Sequence, residues 1–531
     1  MSKIFIILFF TLALSANNLI VDLLDTQAVN NEVLYHPAEL ADIYAEHNNT
    51  LLWTERSKQL ELLNVFALSN THGFSIEMFH DKTIFKLLEA PLDDEIAQLK
   101  LDILLSDALI HYISTINTGA LDPKVFYKIW NLPEKDDDVT VVFEEALRLK
   151  GDHFNQYVEN LAPQHFIYQN SHKALEHYIT LKEDIDVYPP IHFKRTLKLG
   201  SDAPVVTEIA HRLYLEGDLN EDLNATLFGE ELNTAVKHYQ DRHGLKADGV
   251  IGKVTAQFFK TTLQEQIDKL AINLERARWV LHHLSKEYVI VNIASYRLYY
   301  IKDGEYQFTT PVIVGKKMHE TPIFAGKMRY IVYNPTWTVP HSIAVKELLH
   351  KAQTRENYMD TFNLELLDHN RHVVDHHSIN FHDYNRYNFP YIFRQKPGNH
   401  NALGRIKFLF PNKQAIYLHD TPGKTLFSQD KREFSHGCIR VKNPYKLSES
   451  ILKNQKMWNG DIKRLEGDRQ DEMKTTSLTL KHSIEVLLMY WSAAADREGN
   501  AYFYEDHYHL DPALLKKLKA IQHPKQTKVT P

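Results

Sequence analysis

The sequence lacks a strong charge of either sign, long hydrophobic runs and low-complexity linkers. Its 61 Lys and Arg residues nearly balance its 68 Asp and Glu residues, so nothing favours nucleic acid or an acidic lipid surface as a partner. No apolar run reaches the roughly 18 residues that a membrane-spanning helix needs, so no transmembrane span is expected in the mature chain. Because no linker separates the domains, their boundaries must come from changes of pattern.

The N-terminus carries a shorter apolar segment. MSKIFIILFFTLALSANN has one lysine, then roughly a dozen apolar residues and then small ones, which is the pattern of a secretory signal peptide. We predict a signal peptide over residues 1–16, with cleavage near Ser15 or Ala16. The mature protein is then expected in the periplasm. An uncleaved anchor and a buried N-terminal helix are the alternatives.

Cysteine is nearly absent, since Cys438 is the only one in 531 residues. A disulfide within the chain is therefore excluded. In an exported protein a leftover cysteine indicates an intermolecular bridge or a reactive thiol. A small buried hydrophobe is the other ordinary role of a lone cysteine, but it fits poorly with the polar neighbours in FSHGCIRV, residues 434–441.

The first half of the chain has the periodicity of helices. Apolar residues recur three and four positions apart in AELADIYAEH, KQLELLNVFALS and EIAQLKLDILLSDALIHYISTI. Short turns such as NTGALDP separate these segments. We predict a helical scaffold domain over 34–185 with no catalytic constellation of its own, and a helix over 263–284 that returns to the scaffold.

Residues 197–259 have the pattern of a small three-helix bundle. Apolar residues share one face in each of two predicted helices: Val206, Ile209 and Leu213 in the first, and Leu232, Val236 and Tyr239 in the second. ADGVIG is a glycine turn before a third, short helix. The segment, including AVKHYQDRHGL and DGVIG, resembles the peptidoglycan-binding module of wall enzymes. A spacer that binds no glycan is the alternative.

From residue 288 the period changes to two. YVIVNIASYRLYYIKDGEYQFTTPVIVG is rich in β-branched and aromatic residues around a KDGE turn, which predicts a hairpin. MRYIVYNPTWTV, RIKFLFPN and AIYLHD indicate further strands. We predict a mostly β catalytic domain over 288–455, interrupted by a polar, histidine-rich insertion at 341–400.

The segment IYLHDTP gives the thiol a partner, His419. An adjacent imidazole can take the proton of a thiol to leave a thiolate. Gly437 allows a tight turn that would bring its own N–H and that of Cys438 near the attacked carbonyl, as an oxyanion hole. Tyr417 shares the strand face of His419, and its hydroxyl is a further candidate for that hole.

These motifs carry a resemblance to a known family. IYLHDTP and FSHGCIRV, with PVIVG, ETPIF, NPTWTVPHSIAVKELL and RQKPGNHNALGRIKFLFPN upstream, resemble the L,D-transpeptidases with a YkuD catalytic domain, in particular the large YcbB-like type. The tail SIEVLLMYWSAAADREGNAYFYEDHY is similar to the final hairpin of that type, and we predict a hairpin and helix over 480–520. The resemblance implies a multidomain α+β fold: a helical scaffold, a three-helix peptidoglycan-binding bundle, and a mostly β YkuD-type catalytic domain with a capping insertion.

The resemblance also implies roles for individual residues. Cys438 is the nucleophile and His419 the base. The supporting residues of the oxyanion region are Tyr417, Ser435, His436 and Gly437. The substrate-binding candidates are Arg440, Trp337, Asn401 and Gly404. A structural role is the alternative for Arg440, and Trp337 is favoured as a wall of the cleft, with a place in the core as the alternative. Either Asp420 or a backbone carbonyl orients His419.

The implied reaction is peptidoglycan crosslinking. A stem tetrapeptide acylates the cysteine as a thioester, and the third residue of a second stem attacks it, with no metal or organic cofactor. Other wall-synthesis enzymes are further candidate partners. An L,D-carboxypeptidase, with water as acceptor, and a non-catalytic wall-binding scaffold are the alternatives. Lipoprotein lysines and free D-amino acids stay open as acceptors.

A cluster of histidines in the insertion raises a metallopeptidase as another alternative. The potential ligands are His369, His372, Asp375, His376, His377 and His382. Neither HExxH nor another zinc-peptidase spacing occurs. A solvated surface of the cap is therefore the favoured interpretation, and no metal is assigned.

Overall fold

The computed structural model describes residues 19–132, 138–184, 190–192, 194–282, 284–458, 460 and 473–523. The predicted signal peptide over 1–16 lies outside these residues. Among the helices described, none has the length and apolar character needed to cross a membrane. The described residues fall into two compact units: those within 1–128, 132–283 and 491–531 form the first, and those within 129–131 and 284–490 form the second.

The helices are numbered in chain order. They are α1 (Pro37–Glu46), α2 (Arg56–Leu68), α3 (Asp81–Leu88), α4 (Glu95–Thr118), α5 (Val139–Arg148), α6 (Asp152–Glu159), α7 (Phe166–Asp184), α8 (Val205–Leu215), α9 (Glu230–Arg242), α10 (Lys253–Phe258), α11 (Leu263–Arg278), α12 (His341–Ile343), α13 (Leu349–Thr354), α14 (Tyr358–Thr361), α15 (Pro444–Asn454) and α16 (Asp511–Gln522). A π-helical turn, Ala344–Leu348, joins α12 to α13.

The strands are numbered in the same way. They are β1 (Ala28–Val29), β2 (Glu32–Val33), β3 (Glu287–Asn292), β4 (Arg297–Lys302), β5 (Glu305–Gly315), β6 (Phe324–Tyr333), β7 (Trp337–Thr338), β8 (Leu364–Leu367), β9 (Val373–Val374), β10 (Ile392–Gln395), β11 (Ile406–Leu409), β12 (Leu418–His419), β13 (Glu433–Ser435), β14 (Ile439–Val441), β15 (Thr476–Met489), β16 (Ala493–Ala495) and β17 (Ala501–Phe503).

The first unit contains the predicted helical scaffold and the bundle. Asp94 caps helix α4, because its side chain accepts the N–H of Ala97, and the helix buries apolar residues on several faces. In the bundle, α8, α9 and α10 enclose one apolar core. All six residues predicted on its two helical faces are buried. The predictions of a helical region and of a three-helix bundle are therefore confirmed.

The second unit is built on a sheet that closes on itself. Nine strands follow the order β13-β5-β14-β12-β11-β6-β15-β3-β4, and β4 also pairs with β5. Asp303 and Gly304 have φ values of 50° and 79° in the turn between β4 and β5. Such a turn matches the twist of a hairpin, and Lys302 pairs with Glu305. The predicted hairpin is present, with β3 as a third strand beside β4.

The catalytic sheet extends beyond the predicted end at 455. The first part of the segment 480–520 was expected in a C-terminal hairpin, but the structure has it in β15. This strand lies between β3 and β6, parallel to the first and antiparallel to the second. Val486–Met489 is buried, as expected for a strand covered on both faces. The hairpin consists of β16 and β17 alone, and α16 follows.

The insertion at 341–400 is more than a polar surface. It contributes to a second sheet in the order β7-β10-β8-β9 and has its own apolar core. The buried members of that core are Val339, Ala344, Leu348, Leu349, Tyr358, Met359, Leu364, Leu366, Phe389 and Phe393. Polar residues separate the apolar residues of the insertion, so the apolar residues gave little periodic signal.

Candidate active site

Three neighbouring strands bring polar side chains onto one face of the closed sheet. His419 on β12 lies opposite Arg440 on β14 and opposite Lys407 on β11. Paired residues of adjacent strands share a face, so these three side chains form one row. The alternate residues, Phe408, Leu418, Ile439 and Val441, are fully buried on the other face.

A second row contains the cysteine. Cys438 directly precedes β14, and the N–H of the next residue, Ile439, donates to the carbonyl of Tyr417 over 3.1 Å. Cys438 is thus opposite Tyr417 and diagonal to His419. Diagonal neighbours on one face of a sheet have Cβ atoms about 7–8 Å apart, within reach of long and aromatic side chains.

The Cys438 thiol is half-buried among hydrogen-bonding groups. Its Sγ lies 3.7 Å from the carbonyl of Ala415, which accepts its hydrogen. The backbone N–H and the hydroxyl of Tyr417 hydrogen-bond to the sulfur. Burial raises the pKa of the thiol above its ordinary value, while Tyr417, Lys407 and Arg440 act in the opposite direction. Since burial has the larger effect, the resting group is a thiol.

Asn412 holds the turn that presents the Ala415 carbonyl. Ala415 has a φ of 54°, which is uncommon for a residue other than glycine. The Asn412 amide donates to the carbonyls of Phe410 and Ile416 over 2.6 and 2.7 Å, and its oxygen accepts the N–H of Ile416 over 3.0 Å. Sequence reasoning missed Asn412; its only signal is a Pro-Asn turn between two strands.

His419 is buried and is oriented by a backbone carbonyl. Its Nδ1 lies 2.5 Å from the carbonyl oxygen of Asp420. Because a carbonyl only accepts, Nδ1 carries the hydrogen and Nε2 carries the lone pair. Burial, assisted by Arg440 and Lys407, lowers the pKa of His419 to about 3. The ring is therefore neutral at physiological pH and available as a base.

The Asp420 carboxylate, unlike the backbone carbonyl of the same residue, contacts residues other than His419. It accepts the N–H of Arg405 over 2.9 Å and pairs with the Lys424 ammonium. Gly404 packs directly against it: a Cβ at that position would lie 2.3 Å from Asp420 Oδ2, and its φ is 59°. Gly404, predicted to bind substrate, is therefore a buried packing position instead.

Asn401, also predicted to bind substrate, is likewise structural. It is 1% exposed, and its amide donates to the carbonyls of Pro335 and Lys396 over 3.0 and 2.9 Å. Its oxygen accepts the N–H of Leu403 over 2.8 Å. The Leu403 carbonyl in turn lies beside the ring of His419 and acts to raise its pKa. Asn401 therefore acts on the site only through the loop that it holds.

Ser435 and Gly437 close the turn before the cysteine. The Ser435 hydroxyl accepts the Gly437 N–H over 3.0 Å and donates to the Cys438 carbonyl over 2.6 Å. Gly437 has a φ of 111°, and its carbonyl accepts from the Thr321 hydroxyl over 2.8 Å. The Gly437 N–H was predicted as an oxyanion donor, but this hydrogen bond already engages it.

His436 connects the cysteine loop to the capping insertion. Its Nε2 lies 2.8 Å from Oε1 of Glu347, in the π-helical turn, and its ring centroid lies 5.1 Å from that of His319. The predicted role of His436 in the oxyanion region stays a prediction, and this contact adds a link to the insertion. Sequence reasoning missed Glu347, because nothing local links it to a residue 89 positions away.

Trp337 joins the insertion to the site. Its indole hydrogen-bonds the hydroxyl of Tyr417, which also hydrogen-bonds the sulfur of Cys438. An indole N–H only donates, so Tyr417 accepts from Trp337 and its own hydrogen is directed to the sulfur. Trp337 also packs against the core of the insertion. The predicted role as a wall of the cleft is consistent with these contacts.

Lys407 and Arg440 are half-buried cations beside the thiol. Lys407 Nζ lies 3.8 Å from the centroid of the Tyr417 ring. Burial lowers the pKa of both side chains, and the Cys438 sulfur opposes that effect. Within the part of the chain that the structure describes, neither cation contacts a carboxylate. Lys407 was missed in the sequence; its only signal is a lysine in the apolar strand RIKFLF.

Family models match three segments of the chain. The L,D-transpeptidase catalytic domain, YkuD, matches residues 286–462. A scaffold domain matches residues 38–175. A family described as "Putative peptidoglycan binding domain" matches residues 203–258.

One curated relative and two solved structures extend the comparison. A protein of Haemophilus influenzae named "Putative L,D-transpeptidase" is 35% identical over 255 residues, covering 48% of this chain and 50% of the relative. The match thus spans about half the length of that relative. The L,D-transpeptidase of Stackebrandtia nassauensis is 14% identical, covers 57% of this chain and 96% of its own, and has a TM-score of 0.23.

The L,D-transpeptidase of Xylanimonas cellulosilytica is also 14% identical, covers 56% of this chain and 99% of its own, and has a TM-score of 0.17. TM-scores this low do not bear on the fold. The family matches do, because the catalytic-domain match spans the strands that carry Cys438 and His419. The chain therefore carries a YkuD-type L,D-transpeptidase catalytic domain together with a scaffold domain and a peptidoglycan-binding domain.

Proposed function

We propose that this protein crosslinks peptidoglycan between the third residues of stem peptides, through a thioester on Cys438. One observation carries the proposal: a thiol, a neutral imidazole and two cations without carboxylate partners among the described residues share one face of the sheet. Nucleophile, base and positive charge are the groups that acyl transfer from a peptide with a free carboxylate requires.

In the first step the thiol attacks the carbonyl of the third residue of a tetrapeptide donor. His419 Nε2 takes the proton from Sγ as the C–S bond forms, so that thiolate is generated only during attack. The tetrahedral intermediate then collapses, the C–N bond to the terminal D-alanine breaks, and His419 gives its proton to the leaving amine. A thioester on Cys438 and free D-alanine result.

The Tyr417 hydroxyl and the Cys438 backbone N–H are the proposed oxyanion donors. In the resting site the hydroxyl hydrogen-bonds the sulfur. As the C–S bond forms, the sulfur loses its proton and the negative charge that accepts this hydrogen bond. The hydroxyl is then available to the developing oxyanion, and the indole of Trp337 keeps it oriented.

Arg440 and Lys407 are proposed to recognise carboxylate and to favour charge on sulfur. A donor ending in D-alanine carries a carboxylate next to the scissile bond, and a guanidinium binds carboxylates with two parallel hydrogen bonds. Both cations lower the pKa of Cys438. A half-buried cation without an internal partner is costly unless a ligand or a reacting group supplies the opposite charge.

In the second step an amine on the third residue of another stem attacks the thioester. His419 accepts a proton from this amine, the new amide forms, and the sulfur leaves and is protonated again. Transfer outcompetes hydrolysis only if the amine is held at the carbonyl, where effective concentrations of roughly 10⁵ M or more are attainable. The insertion contacts the cysteine loop through Glu347, and Trp337, which packs against its core, hydrogen-bonds Tyr417. We therefore assign the insertion to acceptor binding and to exclusion of water.

The remaining parts of the proposal concern location. Peptidoglycan lies outside the cytoplasm, and the apolar N-terminus is proposed as the export signal. The bundle over 197–259 is proposed to bind wall glycan. Substitutions of its exposed residues should weaken sedimentation with purified sacculi, whereas unchanged sedimentation would make the bundle a spacer.

Two measurements test the reaction itself. A carbapenem mimics the acyl donor, and intact mass should show one adduct on the wild-type protein and none on Cys438→Ala. With disaccharide-tetrapeptide as donor and acceptor, mass spectrometry should show dimers joined between third residues. Tripeptide alone, with acceptor in excess, would make the protein an L,D-carboxypeptidase, and neither product nor adduct would make it a non-catalytic wall-binding protein.

A further inference from the structure

The capping insertion brings three metal-ligating side chains together, far in sequence from the cysteine. Asp360 lies in α14, and His376 and His377 lie in a 3₁₀ turn, His376–Ser378. Nε2 of His376 is 3.2 Å from Asp360 Oδ1, and Nε2 of His377 is 3.8 Å from Asp360 Oδ2. One donor atom from each of the three residues falls within a group less than 4.8 Å across.

These separations are close to those around a bound transition-metal ion. Zinc–nitrogen and zinc–oxygen distances are about 2.0–2.2 Å, so two ligands of a tetrahedral ion lie about 3.3–3.5 Å apart. Small rotations of the exposed His377 and Asp360 side chains would complete that geometry. Two imidazoles and a carboxylate are a donor set that suits zinc and similar divalent ions, and it is a poor set for magnesium or calcium.

The buried nitrogen of His376 supplies a second observation. Its Nε2 is inaccessible to solvent and makes no hydrogen bond within the described residues, although Asp360 Oδ1 is near. A buried ring nitrogen without a hydrogen bond costs free energy, and a metal ion would remove that cost. The other histidines of the insertion differ, since His372 lies 3.5 Å from Asp368 and is largely exposed.

The local structure holds the three ligands in place. Asp375 caps the 3₁₀ turn, because its carboxylate accepts the N–H of His377 over 3.0 Å. Helix α14 is anchored in the core of the insertion by Tyr358 and Met359. A cavity of about 380 Å³ opens at the three ligands, which leaves room for a water molecule as a further ligand.

The walls of that cavity do not exclude a cation. Arg355 and Glu356 contribute one charge of each sign, so Asp360 determines the net charge next to the two imidazoles. A protonated histidine paired with Asp360 is the competing explanation of the cluster. That explanation predicts no affinity for a metal ion, so a binding measurement distinguishes it from a metal site.

We propose that Asp360, His376 and His377 form a structural site for zinc or a similar divalent transition-metal ion. The bound ion would link α14 to the turn 376–378. The site belongs to the insertion and is independent of the chemistry at Cys438. Three protein ligands suffice for an ion whose remaining position is taken by water. Binding would stabilise the core of the insertion near Tyr358 and Met359.

The test is zinc binding to the full chain without a polyhistidine tag, in the Cys438→Ala background so that the thiol cannot bind the ion. Isothermal titration should give one zinc ion per chain, and cobalt substitution should give the visible absorption of a tetrahedral site. Asp360→Asn and His377→Gln should each weaken zinc binding by about tenfold or more, at least the loss usual for altering a ligand's supporting contact. Acidification should release the ion, because imidazole binds metal only when unprotonated.

A second readout keeps the test valid if a variant folds poorly. Zinc should slow hydrogen exchange in α14 and in the turn 376–378 of the parent protein, and it should not do so in Asp360→Asn. His382→Ala is the matched control, since that histidine is exposed in the same insertion and lies outside the cluster; it should bind zinc normally. Absence of binding in the parent, or equal binding in parent, Asp360→Asn and His377→Gln, would overturn the site.

Discussion

Buried and half-buried cations occur in both units, but they are arranged in opposite ways. In the first unit Arg242 is fully buried, and it lies 2.6 Å from Glu216 and 2.5 Å from Asp218. Arg212 lies 2.6 Å from the other oxygen of Glu216. In the second unit Lys407 and Arg440 lie beside a thiol and an imidazole, and no described carboxylate contacts them.

The difference separates structure from chemistry. Buried charges that are paired with each other stabilise the packing of the helices. Removing one partner leaves the opposite charge buried without compensation. Cations without carboxylate partners in the protein can instead stabilise negative charge on a reacting sulfur or on a bound carboxylate. The burial of a charge is thus less informative about function than the presence or absence of its partner.

The largest effect is expected from removal of the Cys438 sulfur, because the two cations beside it then have no reacting group to stabilise. Cys438→Ala should abolish crosslinking, by about 10⁴-fold or more, as expected for loss of a nucleophile. Its thermal unfolding should match the wild type, since a half-buried thiol contributes little packing. Product formation by this variant would contradict the assignment of the nucleophile.

The paired cation should show a purely structural effect. Arg242→Met leaves Glu216 and Asp218 buried without their partner, which should lower the free energy of unfolding by about 3–5 kcal/mol. Urea denaturation followed by circular dichroism measures this loss. Arg148→Met is the control, because its side chain is 77% exposed and it should change stability little. Equal free energies of unfolding for the two variants would show that the buried charge pairs of Arg242 do not stabilise the first unit.

Loss of the base should come next. His419→Ala should lower the acylation rate by roughly 100-fold or more, the usual contribution of a positioned base. Because the pKa of His419 is lowered to about 3, the wild-type ring stays unprotonated as pH falls through the ordinary histidine range. The acylation rate should therefore lack an acid limb there. His436→Ala is the control, and a large loss in that variant alone would reverse the two assignments.

An uncompensated cation should act on the sulfur from a distance. Lys407→Met removes a charge that lowers the pKa of Cys438, so the thiol should ionise at a higher pH. The rate of alkylation by a neutral reagent, followed against pH, reports the midpoint. Lys413→Met is the matched control, since that lysine is exposed on the same β11–β12 connection. An unchanged midpoint in Lys407→Met would show that its field does not reach the sulfur.

The smallest effect is expected where the charge pair is open to solvent. Glu347→Gln weakens the contact of the insertion with His436, and partly exposed pairs contribute about 0.2–1 kcal/mol. The ratio of free tripeptide to crosslinked dimer should rise up to about fivefold, since 1.4 kcal/mol corresponds to tenfold. Asp383→Asn, in an exposed turn of the same insertion, should leave the ratio unchanged.

The architecture was predictable wherever a regular period extends over a whole element. Helix α4, the faces of α8 and α9, and the turn at Asp303 and Gly304 all follow from local spacing, because amphipathic helices and two-residue hairpins are local structures. Strand β15 and the core of the insertion were missed for the opposite reason. Their partners are distant in sequence, and short strands or scattered apolar residues have little period of their own.

The site was predictable in part for the same reason. Cys438, His419 and Tyr417 lie in motifs with a chemical rationale, and their catalytic roles stay predictions until the variants are measured. Asn401 and Gly404 were assigned to substrate because they sit in a matching motif, yet both are buried and hold a loop. A motif records which residues recur together, and it does not distinguish contact with substrate from support of a neighbour.

The sequence by itself determined most types of secondary structure and the presence of a single thiol, and it predicted a partnership of that thiol with an imidazole nineteen residues before it. Only the tertiary structure decided that Lys407 stands in the same row as His419, and that Asp360 meets His376 and His377. The physical reason is register. Which residues face each other across a ladder, or across two turns of an insertion, depends on hydrogen bonds and packing between segments, and local periodicity carries no information about either.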